Sequence, residues 1–99
     1  MNMQQLMQQA KKLQADMEKK QKELESSTYE GKSSLVDVLI NGKKEIVKIN
    51  INIEEDITSE DKEMLEDMIM LAINDAIKKV DKDTEEKFGA YGKGMPGLF

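Results

Sequence analysis

Leu35-Val36-Asp37-Val38-Leu39-Ile40-Asn41-Gly42-Lys43-Lys44-Glu45-Ile46-Val47-Lys48-Ile49-Asn50-Ile51-Asn52-Ile53 is the stretch on which the fold turns. Branched apolar residues alternate with polar ones on both sides of Asn41-Gly42, a pair that tolerates the positive φ of a type I′ hairpin turn. With a two-residue turn there, Val36, Val38 and Ile40 share one face with Val47, Ile49, Ile51 and Ile53. That face is nearly dry and is expected to cover a core. The opposite face carries Leu35, Leu39 and Ile46 among Asp37, Lys44, Lys48, Asn50 and Asn52, more apolar than a solvated face requires, so a subunit contact is expected there. A short strand over Ser27 to Lys32 precedes this pair. Strands at 27–32, 35–40 and 43–53 make a three-stranded antiparallel meander.

Helical sequence flanks the meander on both sides. From Met3 to Ser26 there is no glycine, proline or β-branched residue, and good helix formers dominate. The apolar positions Met3, Ala10, Met17 and Leu24 lie seven apart with Leu6 and Leu13 between them, a narrow heptad seam. Such a helix is roughly 36 Å long, while a domain of about 100 residues has a radius of gyration near 13 Å. Part of it must project or lie along another long helix. After Glu54-Glu55-Asp56, Thr58-Ser59 with Glu60-Asp61 supplies an N-cap and acids in a first helical turn. A second helix is expected from Ser59 or Glu60 to near Phe88, with Leu65, Met68, Ile69, Ala72, Ala76, Ile77 and Val80 as its buried stripe. The unbroken apolar run Met68 to Ile73 favours cover on more than one side, hence a dimer, with Met68, Ile69, Ala72 and Ile73 in its interface. Residues 89–99 hold four glycines and Pro96 and end in Leu98-Phe99, the composition of a flexible tail.

Composition narrows the chemistry. The chain of 99 residues has room for one core, is 38% hydrophobic and 35% charged, and carries only four aromatic residues, so that core is thin and aliphatic. It contains no cysteine and no histidine, which removes thiolate ligands, disulfides, the commonest general base and the commonest metal ligand. No enzymatic activity, cofactor, metal site or small-molecule substrate is expected. All fifteen basic residues are lysine; without arginine there is no bidentate fork to read guanine. The start of the chain lacks a basic, apolar signal pattern and no stretch is long enough for a membrane span, so a cytoplasmic protein without a membrane partner is expected. The net charge of −5 is uneven: residues 1–53 hold nine lysines and seven acids, residues 54–99 six lysines and thirteen acids. The overall field disfavours phosphate, so attraction to nucleic acid has to come from local lysine clusters.

Two such clusters stand out. Lys11, Lys12, Lys19, Lys20 and Lys22 on the first helix could track phosphates, but Asp16, Glu18, Glu23 and Glu25 among them fit an ordinary solvated face. Lys78, Lys79, Lys82 and Lys87 come late in the second helix, where lysine also suits the helix dipole. If the helices are antiparallel, this group lies beside the start of the first helix and the two clusters merge. Ser59-Glu60-Asp61-Lys62 matches the Ser-x-x-Lys string of acyl-enzymes but lacks its companion motifs and coincides with a helix cap. The glycine run 89–94 lacks P-loop spacing, and Glu54-Glu55-Asp56 lacks EF-hand spacing. Met64, Met68 and Met70 at helical spacing are ordinary core before they are an adaptable groove.

Several strings resemble the YbaB/EbfC family of bacterial nucleoid-associated proteins over almost the whole chain. They are Met3-Gln4-Gln5-Leu6-Met7-Gln8-Gln9-Ala10 with Leu13 and Met17 in phase, Leu65-Glu66-Asp67-Met68-Ile69 followed by Ala72-Ile73-Asn74-Asp75-Ala76, and the closing Gly94-Met95-Pro96-Gly97-Leu98-Phe99. The turn Gly31-Lys32-Ser33-Ser34 departs from the glycine-rich turn common in the family. The resemblance implies a homodimer whose sheets associate and whose long helices project as arms, and binding to duplex DNA with little sequence preference in the nucleoid. Asn74 and Asp75 are expected to be buried and to hydrogen-bond across the dimer or to the sheet rather than to grip phosphate.

The combined expectation is an α+β domain over residues 1–88, with a long N-terminal helix, a three-stranded antiparallel sheet and a long C-terminal helix, forming a dimer with projecting helix arms. Lys11, Lys12, Lys19, Lys20, Lys78, Lys79, Lys82 and Lys87 are its candidate DNA contacts. Leu35, Leu39, Ile46, Met68, Ile69, Ala72 and Ile73 are its candidate dimer contacts. A protein–protein adaptor that uses the helix heptads and the apolar tail is the alternative.

Overall fold

The computed structural model describes the backbone of residues 2–92 and side chains as far as residue 89. Helix α1 (Met3–Ser26) leads into strands β1 (Thr28–Lys32), β2 (Val36–Asn41) and β3 (Ile46–Ile51). A single 3-10 turn (Ser59–Asp61) then opens into helix α2 (Lys62–Gly92). The strands form one antiparallel sheet in the order β1-β2-β3. This is the expected α+β arrangement.

Local chemistry accounts for each boundary. The Asn2 side chain accepts the Gln5 N–H at 2.8 Å and caps α1. At the other end the Ser27 hydroxyl donates to Glu23 O at 2.6 Å. At the entry to α2, Asp61 Oδ2 accepts the Thr58 N–H at 2.9 Å while the Asp61 N–H donates to Thr58 O at 3.0 Å. Ser59 and Lys62 thus belong to a helix start. Past Phe88, α2 continues through Gly89 to Gly92, further than its sequence suggests; the remainder of the expected tail, 93–99, lies outside the described residues.

Tyr29 pairs with Ile40 and Gly31 with Val38, which puts them on the sheet face that α2 covers. Gly31 is the point of closest approach. A Cβ there would lie 2.0 Å from Ala72 O and 2.7 Å from Ala76 Cβ. Glycine below and alanines above therefore let the helix drop onto the strand. Val36, Val38 and Ile40 close the core with Leu65, Ala72, Ala76 and Val80, all buried. Ala72, one of the residues expected in the dimer contact, instead faces the chain's own sheet and is sealed beneath Gly31.

The hairpin differs from expectation in two ways. Its loop is Gly42, Lys43 and Lys44, not Asn41-Gly42: the Asn41 N–H donates to Glu45 O at 3.0 Å and the Lys44 N–H to Asn41 O at 2.9 Å. Asn41 Oδ1 also accepts the N–H groups of Lys43 and Glu45, at 2.9 and 3.0 Å, so the asparagine organises the longer loop through its side chain. Lys44 takes up the positive φ of 64° that ends such a loop. Second, the register shifts between Leu39 and Ile40, which brings Ile46 opposite Ile40 rather than into line with Leu39. Ile46 therefore does not belong to the outer face with Leu35 and Leu39.

Val36 and Val38 pair with Ile51 and Ile49 on the α2 side, as the alternation predicts. Yet that side is dry only over β1 and β2. Helix α2 packs on those strands and does not reach β3, so Ile46, Ile49 and Ile51 are 49%, 42% and 37% exposed, and Val47 beside them at the register shift is 57% exposed. Ile53 alone of the expected β3 core residues packs against the cluster.

The second half of α1 runs antiparallel to the C-terminal part of α2. Leu24 shares a cavity with Val80 and Thr84, and Met17 and Gln21 border another with Phe88. Residues 2–16 are exposed throughout. The molecule is accordingly 70 Å long with a radius of gyration of 19.3 Å, well above the roughly 13 Å of a compact domain this size.

Candidate nucleic-acid interface

The projecting part of α1 is the simplest electrostatic surface in the molecule. From Met3 to Ala15 it carries Lys11 and Lys12 and no acid; the first carboxylate is Asp16. Both lysines are exposed and carry no ion pair among the described residues. Lys19 is exposed and Lys20 half-buried further along the same helix.

The lysines of α2 divide into two sorts. Lys78 and Lys82 are exposed and unpaired among the described residues. Lys79, by contrast, donates to Glu30 O on β1 and lies 3.6 Å from Asp75. Lys87 donates to both oxygens of Asp83 at 3.1 and 3.2 Å. Lys78 and Lys79 are therefore level with the strands and Lys87 with the second half of α1, while Lys11 and Lys12 lie beyond. A single chain spaces these groups along its length rather than merging them.

Two carboxylates that the sequence offers as neighbours of these lysines turn out to fasten the sheet to the helix. Asp75 Oδ2 accepts the Lys32 N–H of β1 at 3.0 Å, and this bond holds its carboxyl below the usual carboxylate range. The expected link to the sheet exists, but Asp75 is not buried: its side chain is 41% exposed, and Asn74 is exposed as well. Asp83 accepts the Tyr29 hydroxyl. That bond keeps Asp83 low, while burial, followed by Asp83 itself, pushes Tyr29 up to about 12. This Tyr29–Asp83–Lys87 group is invisible in the sequence, because residues 54 positions apart in the chain share no local pattern.

Among the candidate dimer contacts, Leu39 is half-buried on the outer face, in a shallow cavity bordered by Glu30, Asp37, Lys48 and Asn50. Leu35, Met68, Ile69 and Ile73 are also half-buried. Ile46, also a candidate, is exposed, together with Val47, Ile49 and Ile51 of β3, Ile57, and Met64, Met70 and Leu71 of α2. The signal for the β3 group was its alternation; what the alternation lacked was the reach of α2.

No cluster of acids among the described residues could hold a metal ion, and no described helix is long and apolar enough to cross a membrane. Comparison with known proteins agrees with the architecture. A nucleoid-associated protein of Ligilactobacillus salivarius is 42% identical over 99 residues, covering 99% of this chain and 95% of its own. Another, from Streptococcus agalactiae, is 45% identical over 97 residues, covering 97% and 98%. The crystal structure of an uncharacterized protein from Helicobacter pylori superposes with a TM-score of 0.71 at 26% identity, over 94% of this chain and 97% of that one. Residues 1–95 match the sequence profile of the YbaB/EbfC DNA-binding family, and the chain belongs to that family.

Proposed function

We propose that this protein is a nucleoid-associated protein of the bacterial cytoplasm that binds duplex DNA as a homodimer, through lysine–phosphate contacts and with little sequence preference. It has no catalytic role and acts on nucleoid organisation and gene expression by occupying DNA. The observation that carries the reading, beside family membership, is the projecting half of α1: an exposed helix whose only charges are Lys11 and Lys12. A rod about 20 Å long can lie along a duplex whose phosphates repel the acidic body. Lys19, Lys20, Lys78, Lys79, Lys82 and Lys87 continue the basic surface toward the sheet, Lys78 and Lys82 being the two on α2 without an ion pair among the described residues. Lysine alone gives point-charge contacts to the backbone and none of the forked contacts that read bases.

Dimerisation is supported by the uncovered side of the sheet. Ile46, Ile49 and Ile51 extend the core face past the edge of α2, and covering each by a second copy would contribute on the order of 1 kcal/mol. Val47, Met70 and Leu71 offer further apolar area, and Leu35, Leu39, Met68, Ile69 and Ile73 are half-buried. Two arms on one particle would also add their phosphate contacts together.

The reading is tested by titrating the purified protein against two unrelated duplexes at low and moderate salt, with its solution mass measured in parallel. Equal binding to both, falling steeply with salt, by a particle of twice the chain mass is the expected result. Tight binding to one duplex that survives high salt would overturn it. A second reading has its own observation: Met3, Leu6, Met7 and Leu13 leave an exposed apolar seam on the arm, which suits docking to another protein. A dimer that ignores DNA even at low salt would favour that adaptor role.

A further inference from the structure

We propose that the tip of the β2–β3 hairpin, Lys43 and Lys44, is an additional DNA-phosphate contact at the base of the α1 arm; this rests on the DNA-binding reading above. The starting point is the backbone of Lys44. Its φ of 64° makes it the one non-glycine residue with positive φ among the described residues. Glycine relaxes that conformation and most L-residues do not. The loop does contain a glycine, but two positions earlier: Gly42 lies against the last turn of α1, where a Cβ would fall 1.9 Å from Leu24 O. Gly42 thus meets a packing demand, and the strained position holds a lysine.

The ion pair of Lys44 does not explain that choice. Its Nζ lies 2.8 Å from Asp81 Oδ1, but the two side chains are 49% and 59% exposed, and exposed pairs stabilise little. A side chain kept where the backbone disfavours it points to a use outside the fold. Next to it, Lys43 is exposed and forms no ion pair among the described residues. Its backbone N–H is fixed on Asn41 Oδ1. Acids beside the tip are Asp81 from α2, Glu25 from α1, which accepts from Gln21 Nε2, and Glu45, whose carboxylate is already bonded to Asn41 Nδ2 at 2.9 Å.

Placement matters as much as charge. Because Gly42 lies against Leu24 in the last turn of α1, the loop carries the two lysines beside the end of that helix nearest the sheet. A duplex lying along Lys11, Lys12 and Lys19 meets two further ammonium groups at the tip, in addition to the lysines of α2. The contacts are to phosphate, so they add affinity and salt dependence but no sequence preference.

The test compares the full-length chain with Lys43→Gln and Lys44→Gly variants, recording affinity for one mixed-sequence duplex over a range of salt and the thermal midpoint of each protein. The slope of log affinity against log salt is expected to fall by about 0.9 for each phosphate that a variant no longer neutralises. Lys44→Gly is expected to melt at or above the temperature of the parent while binding more weakly, a combination that a structural role for the lysine does not produce. Slopes equal to the parent's in both variants overturn the proposal and leave the arm reading standing. A parent chain that does not bind the duplex at low salt overturns both.

Discussion

Strands β2 and β3 carry almost the same alternation of branched apolar residues, yet they have opposite fates. Val36, Val38 and Ile40 are sealed, while Val47, Ile49 and Ile51 remain substantially exposed. Nothing in strand propensity separates them. The difference is set by β1, where Gly31 lets Ala72 and Ala76 approach to backbone contact and so draws α2 to the β1 side of the sheet. The helix covers two strands of three. An apolar pattern therefore states which face seeks cover, and the small residues on a neighbouring strand decide which part of that face the chain can cover by itself. The helices repeat the contrast: the stripe of α2 is buried, whereas the seam of α1 is exposed from Met3 to Leu13.

The largest effect should come from breaking the approach that produces this asymmetry. Gly31→Val would set its side chain into the backbone of α2 and should lower stability by about 3 kcal/mol or more, measured by denaturant unfolding; a change under about 1 kcal/mol would show that the helix is placed by something else. Next, Ile49→Asp puts a charge into the uncovered face. The proposed dimer should fall from two chains to one in solution-mass measurements while the far-UV spectrum keeps its helix and strand content. A mass still twice that of the chain would move the interface away from β3.

A moderate effect belongs to the covered half. Tyr29→Phe removes the hydroxyl from Asp83 and should cost about 1.5 kcal/mol, typical of a hydrogen bond to a charged group. The pH dependence follows from the same pair. Asp83 is held below its ordinary value of 3.8 in the fold, so its contribution is complete above that value and is lost as pH falls through the lower folded value. Tyr29 titrates near 12 in the fold against 10.0 when free, so stability declines as pH rises beyond 10. Thermal melts across this range should show both losses in the parent and both only weakly in Tyr29→Phe, since the bond that lowers Asp83 and raises Tyr29 is gone. The smallest effect contrasts two glycines: at Gly89 a Cβ meets nothing within 4 Å, and Gly89→Ala within α2 should raise stability by up to about 1 kcal/mol.

Much of this is legible in the residues. The unbroken helix formers from Met3 to Ser26, the Asn41-Gly42 hairpin signal and the cap at Thr58 place the elements in order. The hairpin loop runs longer than the dipeptide implies because Asn41 turns its side chain onto Lys43 and Glu45 and stabilises the extra residue. Gly31 reads as part of a turn in sequence; its use as a seat for α2 depends on residues some forty positions away, which no local pattern encodes. For the same reason, Ala72 looks available to a partner when only the sequence is read. The lysines are all visible, but their division into paired ones, such as Lys79 and Lys87, and available ones, such as Lys11, Lys12 and Lys82, depends on tertiary contacts with Glu30 and on helix neighbours.

The most direct measurement neutralises only the arm. Lys11→Gln with Lys12→Gln touches nothing in the core, so the melting temperature should stay within about a degree of the parent, as for surface changes in general. Affinity for duplex DNA should fall, and the salt slope should drop by about 0.9 for each phosphate these lysines neutralise in the parent. An unchanged affinity and slope in this well-folded variant would show that the projecting half of α1 is not what holds DNA.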